Sequence, residues 1–219
     1  VHNSERSLLI VAPARLLPSL KQFIKFKKTS LPTKSVALET TLKTPGTDDP
    51  EKLKRYLYNH WKSDNLGYVL LVGDGDIMPM RYMMLDRKTP EALDTAFYPS
   101  DMYYADLAKR DGSFEDWNGN KDSFHAGYFG EVHGEANKND PINYDGIDYI
   151  PEIAVGRWPV DTPEEVSVVV SKTTRYEKSL ANGSKPGAKR AALFSVGGWI
   201  DSRPTMDQYS AFLANWTTD

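Results

Sequence analysis

The segment Asp148–Glu177 constrains the fold most, because it predicts a strand followed at once by a capped helix. Its short apolar run, Ile153–Val155, lies between a proline and a glycine, which is typical of a buried strand. Thr162 follows as a helix cap, with a proline next and a glutamate three residues later. A second apolar run at Arg190–Val196 completes a strand-helix-strand unit. Such a unit is right-handed and predicts a parallel sheet.

The predicted helix in this unit has one apolar face. Its inward positions recur at spacings of three and four residues, namely Val166, Val169, Val170, Thr173 and Tyr176. We expect the helix to end near Asn182–Gly183, because Pro186 cannot continue it.

Earlier apolar runs predict further strands of the same sheet and the helices that cover it. The strands are Ser7–Pro13, Lys34–Thr41 and Gly67–Gly73, and the helices are Leu16–Thr29 and Asp49–Ser63. Strands that alternate with helices indicate an α/β fold. We therefore predict a mostly parallel, doubly wound sheet with helices on both faces.

The middle of the chain, Arg81–Tyr149, is less regular and predicts a β or loop excursion from that sheet. Arg81–Leu85 reads as an edge strand, and the aromatic stretch Tyr98–Leu107 as another strand. A long acidic segment follows from Lys109, and loops of this length inside a compact domain are usually functional or disordered. Its many aromatic side chains favour a folded loop.

Composition limits the chemistry that this chain can perform. It has no cysteine among 219 residues, which excludes disulfides, thiolate metal ligands and a cysteine nucleophile within it. The net charge of −3 gives no sign of a nucleic-acid partner. No apolar run approaches the roughly 20 residues that span a bilayer. The chain shows no signal peptide and no initiating methionine, so we expect it to be a piece of a longer or processed protein.

Oxygen-bearing side chains recur at every second position of the acidic segment Asp116–Asp122. This spacing lets a tight loop present several oxygens to a hard cation, and Ca²⁺ takes six to eight of them. The predicted ligands are Asp116, Asn118, Asn120, Asp122 and, from further along the chain, Glu131. The alternative is an Asn/Asp/Gly turn without a metal. The oxygen spacing favours calcium.

Two aspartates, Asp74 and Asp76, follow the predicted strand Gly67–Gly73. The carboxyl end of a strand is where open α/β sheets place their sites. The motif lacks the third glycine of a dinucleotide fingerprint, and no helix follows it directly. We therefore interpret these aspartates as a structural turn.

Three blocks occur in a fixed order along the chain. They are Tyr68–Asp74, Ser100–Asp106 and Pro151–Val160, preceded by the strand Leu8–Ala12 and followed by Lys172 and Tyr176–Glu177. Together they resemble the gingipain-like cysteine peptidases, which are secreted bacterial proteases of the caspase-type fold. The resemblance covers nearly the whole chain, and the ordered set of blocks is what makes it specific.

The resemblance implies peptide-bond hydrolysis by a Cys-His dyad. In the family, the His-Gly and the cysteine follow strands that come after the strand-helix-strand unit, so we expect both beyond Asp219. This chain would then hold no catalytic residue and be inactive alone. The resemblance also implies structural Ca²⁺ and a secreted or cell-surface location. The implied partners are a protein or peptide substrate and the remainder of the catalytic domain, with no nucleic acid and no membrane span.

The same resemblance implies a division of the chain and a substrate-contacting region. Residues 1–186 would form the first caspase-like subdomain, and residues 187–219 the first strand and helix of the second. Trp199 and Asp201 occupy the neighbourhood that reads the substrate residue before the scissile bond. A helix cap is an equally plausible role for Asp201. The competing hypothesis for the whole chain is a non-catalytic, calcium-stabilised α/β module of a bacterial surface protein.

Overall fold

Four parallel strands form the main sheet of the computed structural model, which describes residues 6–86, 95–119, 129–133 and 145–181, with single helical positions at 207 and 211. The strands are β1 (Ser7–Ala12), β2 (Thr33–Ala37), β3 (Leu66–Val72) and β7 (Ala154–Trp158), in the order β2-β1-β3-β7. Ile10 of β1 lies opposite Ser35 on one side and Leu70 on the other. Leu70 lies in turn opposite Gly156.

Five helices occur among the described residues. They are α1 (Leu17–Lys27), α2 (Leu38–Thr41), α3 (Asp49–Asp64), α4 (Met102–Ala105) and α5 (Pro163–Ala181). The chain separates into two compact units, Val1–Ser171 and Lys172–Asp219. The packing described below belongs to the first unit. No helix within the described ranges has the length and hydropathy needed to cross a membrane.

Both faces of β1 are buried, because side chains alternate along a strand and helices cover each face of the sheet. On one face, Leu8, Ile10 and Ala12 pack with Leu20 and Phe23 of α1 and with Val166 and Val170 of α5. On the other face, Leu9 and Val11 pack with Leu53 and Leu57 of α3 and with the aromatic residues Tyr103, Tyr104 and Trp117. This arrangement confirms the predicted doubly wound α/β fold.

Side-chain caps fix where the two longest helices begin. Before α5, the Thr162 hydroxyl accepts from the Glu165 amide at 3.2 Å, and Glu165 Oε2 accepts from the Thr162 amide at 3.2 Å. This reciprocal pair is the predicted capping box. Before α3, the cap is Asp48, whose Oδ1 accepts from the Glu51 amide at 3.0 Å.

The predicted excursion is a second, three-stranded sheet. Its strands are β4 (Tyr82–Asp86), β5 (Thr95–Pro99) and β6 (Phe129–His133), in the order β5-β4-β6. β4 runs antiparallel to β5 and parallel to β6. The predicted edge strand at Arg81–Leu85 is therefore the central strand of this sheet.

The strand predicted over Tyr98–Leu107 is wrong beyond Pro99. The chain turns there into the short helix α4, where consecutive residues Tyr103 and Tyr104 are both fully buried. A strand would send these two side chains to opposite faces. In α4 their rings instead meet edge-on, with centroids 5.4 Å apart. The strand predicted over Lys34–Thr41 is likewise shorter, because α2 begins at Leu38.

β7 is in the predicted place but is less buried than expected. Ile153, which precedes it, is buried, whereas Ala154 and Gly156 are exposed. Within the described ranges, β7 has β3 as its one neighbour. The predicted partner strand Arg190–Val196, the helix end near Asn182–Gly183 and the subdomain boundary at residue 186 lie outside the described residues and stay predictions.

Candidate functional site

The segment Gly73–Pro79 leaves the carboxyl end of β3, the edge at which open α/β sheets place their sites. Gly73 has a positive φ of 146°, and a Cβ added there would lie 3.0 Å from side-chain atoms of Ile77 and Met78. Asp74 Oδ1 accepts from the amide of Asp76 at 3.1 Å, and the Asp74 carbonyl accepts from the amide of Met78 at 2.9 Å. These contacts agree with the predicted structural turn.

Arg157 of β7 holds this segment in place. Its Nη1 donates to the carbonyl oxygens of Gly73 at 3.1 Å, Asp74 at 3.3 Å and Met78 at 3.3 Å. Its Nη2 donates to the Pro79 carbonyl at 3.2 Å. One guanidinium therefore donates to four carbonyls of this segment, two of which, those of Asp74 and Pro79, also accept from the Met78 amide and the Tyr104 hydroxyl.

The same guanidinium forms a bidentate ion pair with Asp101, just before α4. Nε lies 2.8 Å from Oδ2 of Asp101, and Nη2 lies 2.7 Å from its Oδ1. The Arg157 side chain is only 10% exposed and that of Asp101 28%. The planar fork of arginine suits this two-point geometry, which a lysine ammonium cannot reproduce. Arg157 thus links the main sheet, the segment after β3 and the start of α4.

The carboxyl edge around this segment is acidic. Desolvation, and then the nearby Asp74 carboxylate, raises the pKa of Asp161, which follows β7. Backbone N–H donors of Asp161 and Thr162 lower the pKa of Glu165. Arg15 contributes an opposing charge, with Nη2 at 4.0 Å from Asp161 Oδ1.

The predicted calcium ligands are described only in part. Asp116 Oδ1 accepts from the amide of Asn118 at 3.1 Å, as in an Asx turn. Asn118 Oδ1 is buried and has no hydrogen-bond partner within the part of the chain that the structure describes. Asn120, Asp122 and the side chain of Glu131 lie outside the described residues. Among the described residues, no group of three or more His, Asp or Glu could hold a metal by itself, so the calcium site stays a prediction.

A buried polar cluster lies beside Asp116 and Asn118. Trp117 is fully buried, and its Nε1 donates to Asp106 Oδ2 at 2.8 Å. Lys54 of α3 is also fully buried, and its Nζ lies 4.2 Å from the ring centroid of Tyr103 and 5.4 Å from that of Trp117. Neither Lys54 Nζ nor Asp106 Oδ1 has a hydrogen-bond partner among the described residues. The lysine charge is therefore held by ring faces and by carboxylates that it does not directly bond.

Burial shifts both titrating groups of this cluster towards neutrality. Desolvation lowers the pKa of Lys54 from 10.5 to about 7, against the opposing charges of Asp106, Glu115 and Asp116. Desolvation likewise raises the pKa of Asp106 to about 6, although its hydrogen bond from Trp117 acts in the other direction.

Sequence reasoning did not single out Arg157, Asp101, Lys54 or Asp106 as individual residues. Two features of the sequence could have indicated Arg157 and Lys54. Arg157 is a charged residue within a short strand, and Lys54 interrupts the apolar stripe of α3 between Leu53 and Leu57. The predicted substrate contacts Trp199 and Asp201 lie outside the described residues and stay predictions.

Replacing Arg157 with methionine should lower the free energy of unfolding by about 3 kcal/mol, because Asp101 and four carbonyls lose their buried partner. Urea unfolding would measure the loss. The matched control is Arg15→Met, which removes a half-exposed pair and should cost no more than about 0.5 kcal/mol. Equal losses for the two variants would contradict the role given to Arg157.

Lys54 should make the free energy of unfolding rise with pH from about 7 to about 10. Over this range the unfolded chain keeps the lysine protonated, whereas burial keeps its folded-state pKa near 7. Stability is therefore gained as pH rises and lost as it falls. Urea unfolding over a pH series should show this slope in the wild type and a smaller one in Lys54→Met. Lys52→Met controls for losing a lysine from the same helix, and parallel curves for wild type and Lys54→Met would exclude the effect.

Comparison with known proteins found one matching family and two solved structures with a similar fold. The sequence profile of peptidase family C25 matches residues 2–218. A solved structure titled "Structure of Protease" is 18% identical over 82% of this chain and 30% of its own, with a TM-score of 0.50. The crystal structure of the Arg-specific cysteine proteinase gingipain R is 15% identical over 80% of this chain and 29% of its own, also with a TM-score of 0.50. A search of curated protein sequences gave no match.

The two structural likenesses confirm the fold class predicted from sequence, with a parallel sheet of the caspase type. The chain spans about three tenths of the length of each of these structures. The family profile, in contrast, extends over almost every residue. This chain belongs to peptidase family C25, the gingipain family.

Proposed function

We propose that this chain is the leading portion of the catalytic domain of a secreted cysteine endopeptidase. The observation that carries the proposal is the family match over residues 2–218 in a chain that contains no cysteine. A family C25 peptidase needs a thiolate nucleophile, so that group must come from residues outside this chain. A Cys-His dyad beyond Asp219 meets the requirement, and residues 187–219 then begin the second subdomain.

In the intact enzyme, the thiolate would attack the peptide carbonyl and a histidine would transfer the proton to the leaving amine. Backbone amides would stabilise the oxyanion. This chain would contribute a rigid framework at the carboxyl edge, where Arg157 holds the segment Gly73–Pro79. Trp199 and Asp201 would contact the substrate residue before the scissile bond. An aspartate there favours a basic side chain through charge pairing.

We also propose that a structural Ca²⁺ binds the loop that begins at Asp116. Support comes from Asn118 Oδ1, which is buried, lacks a hydrogen-bond partner in the described ranges, and is the oxygen type that calcium accepts. Asp116 retains a second carboxylate oxygen besides the one that closes the Asx turn. Asn120, Asp122 and Glu131 would complete the ligand set. The ion would stabilise the loop and take no part in the chemistry.

The 219-residue chain should not cleave fluorogenic peptides at any concentration, because it has no cysteine to serve as the nucleophile of this family. The matched sample is the parent protein extended past Asp219. It should hydrolyse the same peptides and lose activity on thiol alkylation. Cleavage by the 219-residue chain would require another catalyst within it and would overturn the proposal. An inactive extended protein without a His-Gly and a cysteine would instead favour the non-catalytic surface module.

Removing calcium should lower the melting temperature of the chain, because an ion that binds only the folded state stabilises it by mass action. Calcium at 100 times its dissociation constant contributes about 2.7 kcal/mol. For a domain of this size, that corresponds to roughly 5–10 °C. Calorimetry with calcium, with chelator and with magnesium in its place would measure the shift. An unchanged melting temperature would remove the proposed ion and leave the peptidase assignment intact.

A further inference from the structure

A polar groove lies between α3 and the segment that joins α2 to α3. It has a volume of about 530 Å³, within the range of about 300–1,000 Å³ that is usual for ligand clefts. At Gly46 an added Cβ would lie 2.9 Å from the backbone nitrogen of Lys52, so the joining segment passes directly against α3. The residues that line the groove are Thr44–Thr47, Glu51, Arg55, Tyr58 and Asn59.

Two contacts hold the guanidinium of Arg55 in the lining of this groove. Its Nε donates to Glu51 Oε1 at 2.6 Å, and its Cζ lies 4.1 Å from the ring centroid of Phe114. The Phe114 ring is itself packed edge-on against Tyr58, with centroids 5.4 Å apart at 78°. A guanidinium that is fixed through Nε and stacked on a ring has little freedom left to lose when it binds a ligand.

The two terminal nitrogens of Arg55 are available to a ligand. Glu51 engages only Nε, and its other oxygen, Oε2, accepts from the Thr47 amide at 3.3 Å. Among the described residues, Nη1 and Nη2 have no hydrogen-bond partner, and both nitrogens are reached by solvent. The arginine side chain is 38% exposed. Two donors held in one plane match the two oxygens of a carboxylate.

The charge of the groove favours a carboxylate over a phosphate. Burial acts to raise the pKa of Glu51, but hydrogen bonds from Thr47 and Arg55 lower it below its ordinary value of 4.5. Glu51 is therefore ionised at neutral pH beside the guanidinium, and it would repel a phosphate dianion more than a singly charged carboxylate. Thr44, Thr47 and Asn59 add hydroxyl and amide groups, which can bond to a peptide backbone.

We propose that this groove binds the carboxylate of a peptide, with Nη1 and Nη2 of Arg55 donating to its two oxygens. Such a carboxylate occurs on an acidic side chain and at a carboxyl terminus. The inference goes beyond the proposed peptidase and does not depend on it, because every residue involved belongs to this chain and binding requires no cleavage. A short peptide would form one half-exposed ion pair there, so we expect a dissociation constant in the millimolar range.

The test is a peptide titration of the ¹⁵N-labelled 219-residue chain, followed by NMR at the Arg55 Nε–H and the Thr47 amide. Acetyl-Gly-Asp-Gly-amide carries a side-chain carboxylate, acetyl-Gly-Gly-Gly a terminal one, and acetyl-Gly-Asn-Gly-amide neither. At least one of the first two should shift both signals, which identifies the source of the carboxylate, and the third should not. Equal shifts with all three peptides, or tighter binding of acetyl-Gly-phosphoserine-Gly-amide, would overturn the proposal.

Arg55→Met should weaken binding of the preferred peptide about tenfold or more, because a charge-assisted pair of hydrogen bonds is lost. The matched control is Lys52→Met, which removes the same charge from the same helix. Lys52 pairs with Asp49 at 2.8 Å and does not line the groove. This control should leave the affinity within about twofold.

Asn59→Asp is a second variant, in case Arg55→Met does not fold. Asn59 is exposed and lies four residues after Arg55 on α3, so the new carboxylate would compete for the same nitrogens and weaken peptide binding severalfold. Ser63→Asp adds the same charge at an exposed position outside the groove and should leave the affinity unchanged. Unchanged affinity in Arg55→Met, or in Asn59→Asp where the first variant is unfolded, would overturn the role given to Arg55.

Discussion

The guanidinium of Arg157 is the interaction on which the arrangement of this fold depends. It joins β7 to four carbonyls of the segment after β3 and to the carboxylate of Asp101. Without it, the Gly73 and Met78 carbonyls would lose the donor described for them, at a cost of about 1–3 kcal/mol each. The Asp74 and Pro79 carbonyls would keep only the Met78 amide and the Tyr104 hydroxyl. Because Asp101 precedes α4, the contact also fixes where the aromatic residues Tyr103 and Tyr104 enter the core. The contact therefore ties β7, the segment after β3 and the start of α4 to one another.

The second constraint is the buried polar cluster of Lys54, Asp106 and Trp117. Burying a lysine is costly, and an apolar residue of similar volume would often be as stable or more so. The cluster connects α3, the end of α4 and Trp117 of the acidic loop through one set of buried contacts.

Most of the main sheet could be predicted from sequence, because its strands are short apolar runs and the capping box at Thr162 marks the start of α5. Contacts between residues far apart in the chain could not be predicted from sequence. Arg157 lies 56 residues from Asp101 and 84 from Gly73, and nothing local to either partner indicates the bond. Periodicity also failed at Tyr103 and Tyr104, where tertiary packing prevailed over the strand preference of aromatic residues. The burial of Lys54 could not be predicted, because a charged residue on a helix is ordinarily exposed.

The family match, the fold and the absence of cysteine together lead to one central claim, that the nucleophile follows Asp219 in the parent protein. Labelling the parent protein with a peptidyl acyloxymethyl ketone, which alkylates reactive thiolates, would test it directly. Peptide mass spectrometry would then locate the adduct. We predict a single modified cysteine on the carboxyl-terminal side of residue 219 and no adduct on residues 1–219. An active protein whose adduct maps to a side chain within these 219 residues would contradict the claim.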